Sequence, residues 1–399
     1  MADFEPELRR ELEGIREAGL RRELRKVDSA QGSRIEIGGR PLLNFSSNDY
    51  LGFANHPALK EAAIKAVEKF GAGTGASRLI CGSLAPHHEL EERLAQFKGT
   101  EAALTFSTGY ATALGTICSL VGKEDVIILD KLVHASIVDA ARLSEAKLRV
   151  FAHNDFEDLE GKLKWAREVQ GPKSKVQGRA ARVLIVTESV FSMDGDLAPL
   201  RNIVELKDRY GAWLMVDEAH ATGLFGKSGR GLAEACELAE RIEVQMGTLG
   251  KALGASGGYV CGSRALVDLL VNRARSFIFS TAPVPAAAAA ARAGIELLQS
   301  AEGEERRAAL WSLVDQLKNA LVGGPWKLPV IQSAIVPLPI GDETEAVERA
   351  THLRERGVFV PAIRYPTVAR RKARLRVTVT AAHTAEDLKE LASLLRAND

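Results

Sequence analysis

Cysteine is scarce and scattered, with four residues at positions 81, 118, 236 and 261. No CxxC pair or metal-ligand spacing occurs among them. That argues against a disulfide framework and a thiolate metal site, and it predicts reduced thiols in a cytoplasmic protein with no bound metal. Charge of one sign is also missing. The formal net charge is +1, so no global basic field points to nucleic acid, and no helix-turn-helix segment accompanies one. No apolar run reaches membrane-spanning length. The alanines 286–291 come nearest, but Arg292 follows and a buried helix explains them. The opening Met1-Ala2-Asp3-Phe4-Glu5-Pro6 is acidic and lacks an apolar h-region, so no signal peptide is expected.

What remains is an ordinary globular composition, 46% hydrophobic and 26% charged over 399 residues. That is enough chain for more than one domain. Residues 3–27 carry Leu8, Leu12, Ile15, Leu20 and Leu24 at helical spacing among Arg and Glu, which predicts an exposed amphipathic arm. Short strands follow around Gly38-Gly39. Gly71-Ala72-Gly73-Thr74-Gly75-Ala76 imitates a dinucleotide fingerprint, but it follows a helix rather than a strand and reads as a loop.

From residue 102 onward apolar strands alternate with helices: 102–106, 126–130, 183–188 and 213–217 are the strands. Alternation of this kind implies a mostly parallel sheet covered on both faces. Residues 170–181 read as a polar loop. A long helical segment follows Pro285 and runs to about Leu321. A smaller α+β pattern occupies the C-terminal part. The expected organisation is an N-terminal arm with short strands over 1–45, a large domain over 46–285 and a small domain over 286–399.

In a parallel sheet ligands bind beyond the carboxyl ends of the strands. Gly109-Tyr110, His134, Ser192, Asp217, His220 and Lys251 all fall there. Ser107-Thr108-Gly109-Tyr110 joins a strand to a helix N-terminus, where free N–H groups suit an anion; simple capping by Ser107 or Thr108 fits as well. Lys251 sits among small residues in Gly247-Thr248-Leu249-Gly250-Lys251-Ala252-Leu253-Gly254, where a backbone can be approached closely. An amine there can bond an aldehyde cofactor. Asp217 and His220 alone fit a structural turn better than a site. Together with Lys251 they match pyridoxal phosphate (PLP): ring nitrogen, ring oxygen and aldehyde carbon.

The segments Asn44-Phe45-Ser46-Ser47-Asn48-Asp49-Tyr50-Leu51-Gly52, Phe191-Ser192-Met193-Asp194-Gly195, Val216-Asp217-Glu218-Ala219-His220 and Thr248-Leu249-Gly250-Lys251 resemble those of the α-oxoamine synthases. These are PLP enzymes of aminotransferase fold type I, and the resemblance covers essentially the whole chain. It implies an α/β fold with a mostly parallel large-domain sheet and a smaller α+β C-terminal domain. It implies that Lys251 carries the cofactor, that Asp217 pairs with the pyridine nitrogen and His220 with the ring oxygen, and that His134 stacks on the ring. Gly109, Tyr110, Ser192 and Thr248 would complete the cofactor site, with Glu188 close to the reacting centre and Thr281 reaching the phosphate of a neighbouring subunit. Arg364 would hold the amino-acid carboxylate, with Thr367, His134 and Arg21 lining the substrate site.

Ala362-Ile363-Arg364-Tyr365-Pro366-Thr367-Val368 and the Asn44–Gly52 run place the chain nearest the branch that condenses L-alanine with pimeloyl-CoA, or a pimeloyl-carrier protein, in biotin biosynthesis. The resemblance also implies a homodimer with the active site at the subunit interface. The Lys251 stretch resembles glycine C-acetyltransferase too, with glycine and acetyl-CoA as substrates. An aminotransferase and a non-catalytic PLP-binding regulator are the remaining alternatives.

Overall fold

The computed structural model describes residues 3–170, 175–176 and 179–396. The chain packs into two compact units. One holds Asp49–Ser192 and Asp196–Ala308; the other holds the chain up to Asn48, Met193–Gly195 and the chain from Ala309 onward.

The larger unit is built on a seven-stranded sheet in the order 102–106, 258–262, 244–248, 213–217, 183–188, 126–130, 147–151. Strands 244–248, 213–217, 183–188, 126–130 and 147–151 run parallel, while Gly258–Gly262 lies antiparallel to both of its neighbours. Val126–Asp130 and Val183–Glu188 are buried along their whole length. Helices on both faces explain why their side chains are apolar without alternation. Each Val, Ile or Leu so buried stabilises by about 1.5–3 kcal/mol. Pro285–Leu298 packs on Pro57–Phe70 and Ala85–Lys98, and Gly109–Leu120 packs on Ala135–Leu143.

The smaller unit has two three-stranded sheets. In one, Arg34–Ile37 pairs antiparallel with Arg40–Asn44, which pairs parallel with Val358–Phe359. N-terminal strands and C-terminal domain therefore form one unit. In the other, Ile335–Gly341 and Ala362–Ile363 flank Ala373–Thr378, all antiparallel. The last helix, Ala385–Arg396, buries Leu388, Leu391 and Leu395.

Three expectations change. The arm helix expected over 3–27 spans only Phe4–Glu17 and buries no residue. Gly19 at φ +67 ends it, and the Gly19 and Leu20 N–H groups turn back onto Arg16 and Ile15 carbonyls, a left-handed stop that glycine permits. The helical segment after Pro285 is two helices, Pro285–Leu298 and Ala301–Leu321. Ser300 separates them by accepting the Gly303 N–H on its hydroxyl, a capping role. The chain passes from the larger to the smaller unit at Ala308–Ala309 rather than at residue 285. The polar loop of residues 170–181 falls in part outside the described residues; Lys175–Val176 and Arg179–Ala180 pair there as a short antiparallel ribbon.

Candidate active site

Four neighbouring parallel strands end on one side of the larger unit's sheet and deliver one group each. Asp217 closes 213–217, Glu188 closes 183–188, Thr248 closes 244–248, and His134 follows 126–130. Lys251 stands in the turn after Thr248. That turn is pinned by Leu249 N–H to Gly257 O at 2.9 Å and Ala255 N–H to Leu249 O at 2.9 Å.

Lys251 Nζ lies 2.9 Å from His220 Nε2. On the far side of the same ring, Nδ1 lies 2.5 Å from the hydroxyl of Tyr50, which is completely buried. Asp217 is held by the Ala219 N–H on Oδ1 at 2.9 Å. Burial pushes its carboxyl pKa up, and the charge of Lys251 partly offsets this. Burial and then the Asp217 charge push Glu188 up to about 8, against the pull of Lys251 and the backbone N–H groups of His134 and Ser192. Burial lowers the His134 pKa, so its ring is neutral. His134 Nδ1 accepts the Ser136 N–H at 3.2 Å, which leaves the ring proton on Nε2.

At the turn that the sequence offers as an anion site or a simple helix cap, the structure shows the cap. Thr108 caps the helix Gly109–Leu120, taking the Ala111 N–H on Oγ1 at 3.0 Å and the Thr112 N–H on its carbonyl at 3.0 Å. The N–H groups of Gly109 and Tyr110 are the donors that remain for a ligand. A Cβ on Gly109 would lie 3.9 Å from Thr248 Oγ1, so the Thr248 hydroxyl borders the same cradle. A Cβ on Gly258 would lie 2.9 Å from the Gly109 nitrogen; only glycine lets strand and helix meet this closely.

The donor set fits PLP. A buried carboxylate suits a protonated ring nitrogen, an amine suits an aldehyde, and a helix N-terminus beside a hydroxyl suits a phosphate. The larger unit thus brings together Lys251, His220, Asp217, Glu188 and His134, with Gly109 and Thr248 side by side. Ser192 joins through its N–H on Glu188. The Tyr110 phenol turns to Asp139 Oδ2 at 2.8 Å, so its backbone rather than its ring faces the cradle. Thr281 is exposed and bridges antiparallel to Ser77.

Arg364, Arg21 and Thr367 lie in the smaller unit. Arg364 donates to the Arg21 carbonyl at 2.6 Å, and the Thr367 N–H donates to the Arg364 carbonyl at 3.0 Å. Burial, then Arg22 and Arg25, hold the Arg364 pKa below its ordinary value. A cleft of about 400 Å³ in this unit is lined by Arg21, Arg22, Arg25, Arg354 and Arg364 with Glu23 among them. Sequence reasoning missed Tyr50 as a site residue. Its signal was its place inside the Asn44–Gly52 segment.

These strand-end groups and this sheet define a cofactor-dependent transferase of the aminotransferase type. The chain belongs to the aminotransferase class I and II family, whose model matches residues 40–395, and within it to the α-oxoamine synthases. It is 50% identical to the 8-amino-7-oxononanoate synthase of Geobacter sulfurreducens, over 95% of this chain and 94% of that one. It superimposes on a serine palmitoyltransferase from S. paucimobilis, solved with a bound PLP–myriocin aldimine. The TM-score is 0.90, with 32% identity over 98% of this chain and 96% of that one. An 8-amino-7-oxononanoate synthase structure from Francisella tularensis matches with a TM-score of 0.74 and 26% identity, over 89% and 97% of the two chains.

Proposed function

We propose that the protein condenses L-alanine with a pimeloyl thioester, releasing the thiol and CO2 and forming 8-amino-7-oxononanoate for biotin biosynthesis, with PLP as cofactor. The observation that carries this reading is the Asp217, His220 and Lys251 constellation at adjacent strand ends in a chain half identical to a synthase of that name.

When bound, PLP supplies an electron sink for the carbanion formed at the amino-acid Cα. Lys251 would anchor it, and once the incoming alanine amine displaces Nζ from the aldehyde carbon, the released Nζ would take the alanine Cα proton and later return one. The buried Asp217 carboxylate keeps the ring nitrogen protonated, since a cation beside it lowers the cost of its own charge. His220 meets the ring oxygen. His134, neutral and fixed by Ser136, would stack on the ring and could donate from Nε2 to the thioester oxygen. The Gly109 and Tyr110 N–H groups would take the phosphate, joined by the Thr248 hydroxyl if it turns from the Gly257 carbonyl to which it donates at 2.9 Å. By the resemblance, Arg364 would take the amino-acid carboxylate, where a planar fork gives two parallel bonds, and Thr367 and Arg21 would serve the substrate.

The protein acts as a cytoplasmic homodimer in this reading. Among the described residues no helix is long and apolar enough to cross a membrane. Support for a dimer comes from Ile80 and Phe279, 79% and 72% exposed, on the two segments that the Ser77–Thr281 bridge joins. Exposed apolar side chains grouped on two joined segments suit a surface that a second subunit would cover, and Thr281 on the same segment would then face a partner's phosphate.

The test is thiol release. Alanine with pimeloyl-CoA or a pimeloyl-carrier protein is expected to outpace glycine with acetyl-CoA. Faster turnover of glycine and acetyl-CoA would overturn the substrate assignment, and no release from any thioester would overturn the synthase assignment.

A further inference from the structure

His220 is held from both sides. Nε2 faces Lys251 Nζ at 2.9 Å, and Nδ1 faces the Tyr50 hydroxyl at 2.5 Å. Tyr50 is fully buried and meets the imidazole edge-on, with ring centroids 6.0 Å apart and planes at 70°. Its loop is fixed by the Asp49 carboxylate, which accepts the Phe53 N–H at 2.8 Å and the Ala54 N–H at 3.1 Å. The phenol is thus delivered to one ring nitrogen by a rigid turn.

A neutral imidazole offers one donor and one acceptor. Before the Lys251 amine is committed to the cofactor it donates to Nε2, so the ring proton sits on Nδ1 and the Tyr50 oxygen accepts. Once the amine is committed to the cofactor, Nε2 would face the cofactor's ring oxygen and would have to donate. The proton then sits on Nε2, and Tyr50 must donate to Nδ1. A backbone carbonyl could serve only the first state, and a carboxylate would favour the charged ring. A hydroxyl serves both by rotating.

We infer that Tyr50 is a positioning residue whose hydroxyl lets His220 exchange tautomers between the cofactor-free and cofactor-loaded states. The inference rests on the function proposed above. The charged and titratable groups facing Lys251 are His220, Asp217, Glu188 and His134, and of these the test alters only His220.

PLP-loaded wild type, Tyr50→Phe, His220→Asn and the double variant are titrated against pH by cofactor absorbance. A donor on the ring oxygen stabilises the form left negative after proton loss, so Tyr50→Phe should raise the midpoint by about one unit. In the His220→Asn background the same change should move the midpoint far less, because the Tyr50 hydroxyl reaches the ring oxygen by way of His220. An unmoved midpoint in the wild-type background, or an equal shift in both, overturns the inference. One measurement needs no variant: 15N shifts of His220 should place the proton on Nδ1 without PLP and on Nε2 with it, and one tautomer in both states overturns the inference. Wild type that gains no absorbance with PLP sinks the site assignment itself and this inference with it.

Discussion

Asp217 and Glu218 are consecutive acids that serve two different lysines. Glu218 Oε2 holds Lys98 Nζ at 2.8 Å, with both side chains wholly buried. Lys98 also donates to the Arg230 carbonyl, and Glu218 Oε1 accepts the Ala233 N–H at 2.8 Å. Burial opposes the charge on Lys98, but Glu218 and its neighbours overcome this and the pKa is raised. Lys251 is only half-buried and meets a histidine ring at hydrogen-bond distance, while Asp217 acts on it through its field. One lysine is sealed into a direct ion pair and the other faces a ligand cradle. An amine beside a carboxylate is inert where the pair is closed, and available where an imidazole stands next to it instead.

Breaking each half tests that contrast. Lys251→Ala should cost the most activity. Turnover should fall by about 10²–10⁴-fold or more, the cofactor absorbance should vanish, and the melting temperature should hold. Retained turnover would remove Lys251 from the chemistry. Lys98→Met should invert this pattern, because it leaves Glu218 buried and unpaired, a loss of about 3–5 kcal/mol. Denaturant unfolding should show the drop, and the fraction that stays folded should still bind PLP. An undiminished stability would mean that the pair is not sealed.

A smaller effect concerns pH. Glu188 ordinarily titrates at 4.5 and is pushed up to about 8 by burial and Asp217. A raised carboxyl pKa means that the folded state binds the extra proton, so the group's penalty is absent below 4.5 and grows until about 8. Cofactor-free Glu188→Gln should therefore gain on wild type in melting temperature as pH rises through that window. A constant gap would show that Glu188 is not held protonated. Least of all, Lys65→Gln removes an exposed pair with Glu61 and should change neither melting nor cofactor uptake.

Much of this was legible in the chain. Val126–Asp130, Val183–Glu188 and Trp213–Asp217 read as strands because continuous apolar runs between helices have few other homes. The rule that ligands gather at strand ends then singled out Asp217, His220 and Lys251. Lys147–Phe151 escaped because it is an edge strand that leaves Arg149 and Val150 exposed, so it lacks the buried signature. Gly258–Gly262 escaped because glycine weakens a strand reading, although close approach to Gly109 is the reason for Gly258. The Lys98–Glu218 and Tyr50–His220 pairs join residues 120 and 170 positions apart. No local pattern encodes pairings at that range.

The turn that carries Lys251 is closed at its base, where Thr248 pairs with Gly258 across the antiparallel ladder, and it is cross-tied within by Gly254 N–H to Lys251 O at 2.9 Å. An amine tethered this way would, as the proposed cofactor anchor, have an effective molarity set by the fold rather than by diffusion. Selection among acyl groups therefore falls to other segments, and this loop is a poor place to engineer it.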